Sequence, residues 1–272
     1  MKKLYRTYWP FALNEMKRSF AYKGSFYLFI LADIFAVFIN YYLWMAIYGS
    51  TDSGVIGGFS QGEMVIYVFM THITSSVAMV GVASEIGKNI MDGSIANNLI
   101  KPIDYRFSMI STAFGQVIYR FIVPSLFIWI GLEIYCMNSL GMEPVSVSRI
   151  LIYILSTVMS FFIYVLFDFC FGLLAFVTTY MFGLQIMKFS ILAFLTGQLI
   201  PLNLFPDVLQ KILDVLPFSS MTYVPVMIYL GKYDTNEMIF VLGRQAVWVI
   251  LLYVLGSLLW KKVTKKMVVL GG

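Results

Sequence analysis

The chain has 272 residues, 60% of them hydrophobic and only 12% charged, with a mean hydropathy of +0.83. Soluble globular proteins do not have that balance, and because one membrane span takes about 20 largely apolar residues, little length is left for a large soluble domain. The net charge of +5 does not point to nucleic acid, since Lys and Arg gather at the ends of the apolar runs, where membrane insertion favours them.

Residues 1–24, MKKLYRTYWPFALNEMKRSFAYKG, carry too many charges for a signal peptide and lack a small-residue cleavage site. A helix starting near Pro10 would align Trp9, Ala12, Leu13, Met16 and Phe20 on one stripe. Asn14, Glu15 and Arg18 would then face the other way, although Phe11 and Tyr22 also fall on that polar side. The pattern predicts a helix in the membrane interface with Lys17 and Lys23 near the headgroups; a solvated leader is the alternative.

Six spans are predicted, at 25–48, 64–84, 107–136, 149–180, 183–204 and 238–260. Lys2, Lys3, Arg6, Lys17, Arg18 and Lys23 precede the first, Lys88, Lys101 and Arg106 lie in the second connection, Lys188 is near the fourth, and Lys261, Lys262, Lys265 and Lys266 follow the last. The opposite connections hold only Arg149, Lys211, Lys232 and Arg244, which predicts a multi-pass protein with both termini in the cytoplasm. The first outer loop, GSTDSGVIGGFSQGE, reads as a flexible connector. The outer segment 205–237 is apolar yet broken by Pro206, Pro217 and Pro225. Within it Val208, Leu209, Ile212, Leu213 and Leu216 recur at helical spacing, which predicts an amphipathic helix re-entering the outer leaflet.

Material for enzymatic chemistry is thin. His72 is the one histidine, inside the second span, where a hydrogen bond across helices is the structural expectation. HExxH, GxSxG, CxxC and GxxxxGK[ST] are all absent, so the reading assigns this chain no catalytic residues, no metal site, no cofactor and no ATP hydrolysis of its own. Cys136 and Cys170 read as packing residues. Asp33, Glu133, Asp168 and Arg120 lie within apolar runs, where each acid costs about 2.5–3.5 kcal/mol at a helix centre. Asp33 can sit near the inner headgroups. Asp168, deeper in VLFDFCFG, is the better candidate for a pathway or interhelical role, and Arg120 can pair with one of the acids.

The connection 85–106 is more than a turn. Ile86 and Ile90 share a helical face, Asp92-Gly93 permits a break, Ser94 can cap a further turn carrying Ile95, Leu99 and Ile100, and Lys101-Pro102 stops it. A half-apolar helix leaving a membrane body calls for a partner groove; a membrane-surface helix with no partner is the alternative. With Glu85, DGSIANNLIKP and Pro102 in place, the chain resembles the permease subunits of ABC-2 type ATP-binding cassette transporters, over nearly its whole length.

The resemblance implies an all-α, six-span permease domain. Ile95, Leu99 and Ile100 would seat in a separate nucleotide-binding ATPase subunit that carries ATP and Mg, with Glu85 at the base of the second span, Gly93 allowing the bend and Pro102 ending the coupling helix. It further implies a second permease copy or paralogue, a bacterial cytoplasmic membrane, and export of an amphipathic, lipid-like, drug or peptide cargo. An ion-gradient-driven transporter or channel using Asp33, Glu133 and Asp168 is the rival reading.

Overall fold

The computed structural model describes residues 2–270 apart from 22, 52, 53 and 179, with side chains described for all of these except 2–4, 23–30, 33 and 266–270. The expectations for Tyr22 and for the side chains of Lys2, Lys3, Lys23, Asp33 and Lys266 therefore lie outside the described residues. The architecture is helical throughout the apolar runs, as a polytopic membrane protein requires. Among the described residues four helical stretches are long and apolar enough to cross a membrane: Gln61–Met91, Tyr105–Ser139, Val147–Phe176 and Thr235–Lys265. Ile34–Gly49 and Phe182–Leu195 are shorter apolar helices.

Helices α1 (Lys2–Ala21) and α2 (Lys23–Gly49) open the chain. The connector after them is partly ordered as a hairpin, with β1 (Val55–Ile56) antiparallel to β2 (Phe59–Ser60) and Ile56 opposite Phe59. Gly57 and Gly58 take φ of 56° and 80° in its two-residue turn, the left-handed pair that matches the twist of the flanking strands. Ser60 then caps α3 (Gln61–Ala78): the Glu63 N–H donates to Ser60 Oγ at 3.3 Å, and the Ser60 N–H to Glu63 Oε2 at 2.9 Å. After Met79–Gly81 the chain resumes as α4 (Val82–Met91), so the stretch predicted as the second span is two helices rather than one. A short α5 (Ser94–Leu99) follows, and Asp104 caps α6 (Tyr105–Arg120).

Pro124 divides the stretch predicted as the third span. It has no N–H for the Arg120 carbonyl and would clash there, so Phe121–Ser125 widens to a π-helical turn, with the Leu126 N–H reaching the Phe121 carbonyl, before α7 (Leu126–Ser139). Helix α8 (Val147–Gly172) tightens into a 3₁₀ turn at Leu173–Phe176. Helix α9 (Phe182–Leu195) falls short of the predicted 183–204 stretch, because its 14 residues rise about 21 Å against a hydrocarbon core of about 30 Å. The chain turns at Thr196 and Gly197, ahead of Pro201. The amphipathic helix expected around Val208–Leu216 is α10 (Asp207–Val215). Helix α11 (Tyr223–Leu230) was not anticipated; Val224, Val226 and Ile228 are fully enclosed between α3 and α8. Helix α12 (Thr235–Leu270) closes the fold.

Helix α3 is the axis of the body. Its apolar window is 72% buried, against 17% for Tyr105–Ser139 and for Thr235–Lys265, whose outer faces are left for lipid or another chain. One core gathers at the hairpin end around Phe59, Tyr67, Trp129, Tyr153 and Tyr229. Another, around Ile86, Tyr105, Phe161, Val165 and Phe169, lies at the α4 end. Hydrocarbon offers no water, so polar groups inside look for partners within the bundle. Thr71, Ser75 and Ser76 donate to carbonyls one turn back in α3, and fully buried Gln245 bridges Ser156, Ser160 and the Ser220 carbonyl.

Helix α1 differs from expectation in two ways. It runs through Pro10 rather than starting there, and Glu15, assigned to the polar face, is buried against α6, where it accepts from Arg18 at 2.9 Å and Gln116 Nε2 at 3.2 Å. Contact with α6 supplies the reason. A Cβ on Gly115 would stand 2.2 Å from the Ala12 carbonyl oxygen, so the two backbones touch. Tyr8 reinforces the pair by accepting from the Asp104 N–H at its hydroxyl, 2.9 Å, and from Ser111 Oγ at its carbonyl, 2.6 Å.

Candidate functional site

The element α4–α5 is held on one edge and free on the other. Val82, Ile86 and Ile95 are buried with Tyr105, Met109 and Phe169, while Met91, Leu99 and Ile100 are 66%, 38% and 81% exposed. Sequence reasoning had placed Ile95, Leu99 and Ile100 together on a docking edge. In the structure Ile95 packs into the chain's own core, at 5% exposure. Leu99, one turn further along the same face, reaches the rim, and Ile100, about 140° round the helix from Ile95, points away.

The turn between the two helices is built locally. Gly93 takes φ 74°, a left-handed conformation that side chains disfavour. Asp92 Oδ1, rather than Ser94, makes the capping bond, accepting from the Ser94 N–H at 2.9 Å. Hydrogen bonds from Ser94, with Lys88 one turn back, hold the Asp92 carboxyl below its ordinary value. Ser94 Oγ instead reaches Asn89 Oδ1 at 3.1 Å, and Asn89 Nδ2 donates to Tyr105 Oη at 2.9 Å, tying the turn to α6. Glu85 lies half-buried in the first turn of α4, the end where a carboxylate complements the helix dipole. Helix α5 ends at Leu99, before Lys101 and Pro102.

At its other end α4 meets the break in the second span. Val80 and Val82 are buried there, so the free carbonyls ending α3 and the free N–H groups opening α4 need protein partners. Arg120 serves the first set: its Nη1 donates to the Met79 carbonyl at 2.8 Å and the Ser76 carbonyl at 3.3 Å. Asp168 serves the second: fully buried, it accepts from the Ala83 N–H at Oδ2, 2.8 Å. The signs match the helix dipoles, a cation at a C-terminus and an anion at an N-terminus. Helix α8 reaches the break because Gly172 has no side chain; a Cβ there would come within 2.9 Å of Ala83 Cα.

Asp168 also pairs through Oδ1 with Lys188 of α9. Lys188, 6% exposed, donates to Gln185 Oε1 at 2.7 Å as well, and its Nζ stands 5.1 Å from the Phe171 ring centroid. Sequence reasoning singled out Arg120 and Asp168, and both converge on one break. It counted Lys188 among connection charges and so missed the pair. A lysine isolated in the apolar run 182–195 was the available signal. Glu133 lies elsewhere, accepting from the Tyr229 hydroxyl, to which Trp129 Nε1 donates at 3.0 Å.

A cavity of about 890 Å³ opens between the break, α4 and the start of α9. Lys88, Asp92, Arg120 and Lys188 supply its charge, and Met79, Met181 and Phe189 are among its apolar lining. The site thus joins three parts: a partly exposed helical element, a break stabilised by charged side chains, and a mixed polar and apolar chamber between them. A family model described as an ABC-2 family transporter protein matches residues 29–271. No curated protein matches the chain.

Proposed function

This chain belongs to the ABC-2 family of transporter membrane proteins, and from that premise we propose that it is the membrane-spanning permease subunit of an ATP-driven exporter. The family makes it a transport subunit rather than an enzyme. In our reading α2, α3 with α4, α6 with α7, α8, α9 and α12 are the six spans, and α10 and α11 form a segment re-entering from outside. The distribution of Lys and Arg supports placing both termini and α4–α5 in the cytoplasm, and we propose that the membrane is a bacterial cytoplasmic one.

The observation that carries the proposal is the pairing of an exposed apolar tip, Leu99 and Ile100, with a root clamped through Ile86 and Ile95. A separate nucleotide-binding subunit binds ATP and Mg and receives that tip in a groove. Closure of the ATPase on ATP then bears on α5, and α4 turns about Met79–Gly81, where Arg120 and Asp168 hold the helix ends. ATP shifts the membrane domain only as far as it favours one state over the other. A second copy, or a paralogous permease, completes the path for an amphipathic, lipid-like, drug or peptide cargo.

Affinity capture from native membranes tests this. The intact chain should bring with it an ATPase identifiable by its Walker sequence, and a Leu99→Asp, Ile100→Asp variant that still inserts should lose it. Retention of the ATPase by that variant sinks the coupling role. The gradient-driven rival requires transport that persists after ATP depletion under an imposed ion gradient, and export that stops with ATP rules it out.

A further inference from the structure

We propose that the seam between α6 and α12 holds an anionic phospholipid, with its phosphate on Lys261 and Lys265 and an acyl chain in the crevice that the two helices form next to them. Such a site needs only that the chain spans a membrane and is independent of an ATPase partner.

The first turn of α6 is pinned to α12 by two contacts. Arg106 Nη1 donates to Ser257 Oγ at 2.6 Å, and the Tyr105 ring stacks on Trp260 with centroids 5.2 Å apart. Lys261 and Lys265 follow Ser257 at four-residue intervals, so all three lie on one stripe of α12, and both lysines are exposed. Arg106 is paired with Asp104 at 2.6 Å, and their charges cancel. With exposed Lys262 on the opposite flank, three lysines then stand at the seam against Glu85, which faces Tyr105 from α4, a balance of +2.

On the hydrocarbon side of these lysines a narrow crevice runs between the helices. Phe107 and Ile110 of α6 and Tyr253 and Gly256 of α12 line it, with Val165 and Phe169 of α8 behind and Arg106 and Ser257 as its polar members. Phe107 and Tyr253 are 38% and 41% exposed, so the crevice faces outward rather than into the bundle. Residues 245–260 carry no charge, and Trp260 directly precedes Lys261, the order in which a span leaves hydrocarbon for the headgroups. Acyl level and phosphate level thus succeed one another along one face of α12 as they do in a phospholipid. Lysines clustered beside a span attract anionic headgroups, and the adjoining crevice fixes a place for one lipid. A soluble anion would use the lysines and leave the apolar walls uncovered.

The test uses the full chain, without ATPase, in nanodiscs of phosphatidylcholine doped with phosphatidylglycerol that carries a diazirine near the carboxyl end of one acyl chain. After trypsin, label should concentrate in the peptides beginning at Phe107 and Gln245. At matched mole fraction, unlabelled phosphatidylglycerol should compete about tenfold better than phosphatidylcholine. Lys261→Gln and Lys265→Gln should each reduce that preference about fivefold, and the double variant should abolish it, with unchanged melting in pure phosphatidylcholine as the fold control. Lys211→Gln, an exposed position on α10 beside the opposite end of α12, should leave the preference intact. Label spread evenly over the spans, equal competition by the two lipids, or a preference that survives the double variant or falls as far with Lys211→Gln overturns the proposal. Displacement of the label by millimolar glycerol 3-phosphate also overturns it, since the lysines would then recognise a free headgroup anion. A double variant that keeps the lipid preference but loses ATPase capture assigns the stripe to the ATPase and overturns it as well.

Discussion

Replacing Asp168 by Ala strips two partners at once. Lys188, 6% exposed, loses its carboxylate, and the Ala83 N–H at the start of α4 loses its acceptor. Removing one member of a buried ion pair costs about 3–5 kcal/mol because the other charge stays behind, and an N-cap adds about 1 kcal/mol, so the expected loss is about 4–6 kcal/mol. Asp168→Asn keeps an acceptor for Ala83 and should lose only the pair. Lys188→Met combined with Asp168→Asn removes the stranded charge at similar volume and should recover most of that loss, giving a coupling energy of about 2–3 kcal/mol in the cycle. Reversible unfolding of the detergent-solubilised chain in mixed micelles measures all four corners. A coupling below about 0.5 kcal/mol, or an Asp168→Ala variant as stable as the parent, refutes the account of the break given above.

Ile95→Ala should cost about 2–4 kcal/mol as a buried core truncation, whereas Ile100→Ala, 81% exposed, should stay within about 0.5 kcal/mol; equal melting shifts would contradict the two-edged picture of α5. Gly115→Val should destabilise by about 1–3 kcal/mol through overpacking and expose Lys17 and Arg18 to trypsin, because its side chain meets the Ala12 carbonyl; unchanged digestion argues against the α1–α6 contact. Burial opposes ionisation of Asp104, but hydrogen bonds and charge from Arg106 outweigh it and hold the carboxyl below its ordinary value. A depressed carboxylate contributes stability above its unfolded pKa of about 3.9 and loses it as pH falls through the folded value. Asp104→Asn should therefore flatten the acid limb of a melting-temperature profile while the neutral limb keeps its shape, and an unaltered acid limb counts against the pair.

Much of the bundle was legible because its signals are local. Hydropathy summed over about 20 residues locates an apolar run wherever it packs, and α2, α6 with α7, α8 and α12 overlie the runs 25–48, 107–136, 149–180 and 238–260, although α8 ends at Gly172 and α12 continues to Leu270. Turn chemistry is local too. Gly57-Gly58 with Ser60 and Glu63 spells a hairpin and a capping box, and both were there to be read. Gly197 and Pro201 likewise mark the early end of α9.

The break in the second span is a different kind of feature. The residues VAMVGVA are apolar around one glycine and would continue a helix as readily as end it. What lets the chain stop at Ala78 is a guanidinium from α6 and a carboxylate from α8, brought 41 and 85 residues from their partners Met79 and Ala83. Lys188 completes the carboxylate's pairing from a third helix. The amino-acid sequence by itself determined that the chain is a multi-pass membrane protein, where its apolar runs lie and that a half-apolar helix follows Gly93. Tertiary structure alone decided which isoleucine of that helix is free and which charges meet, because burial and ion pairing depend on how distant helices approach, and no local pattern encodes that distance.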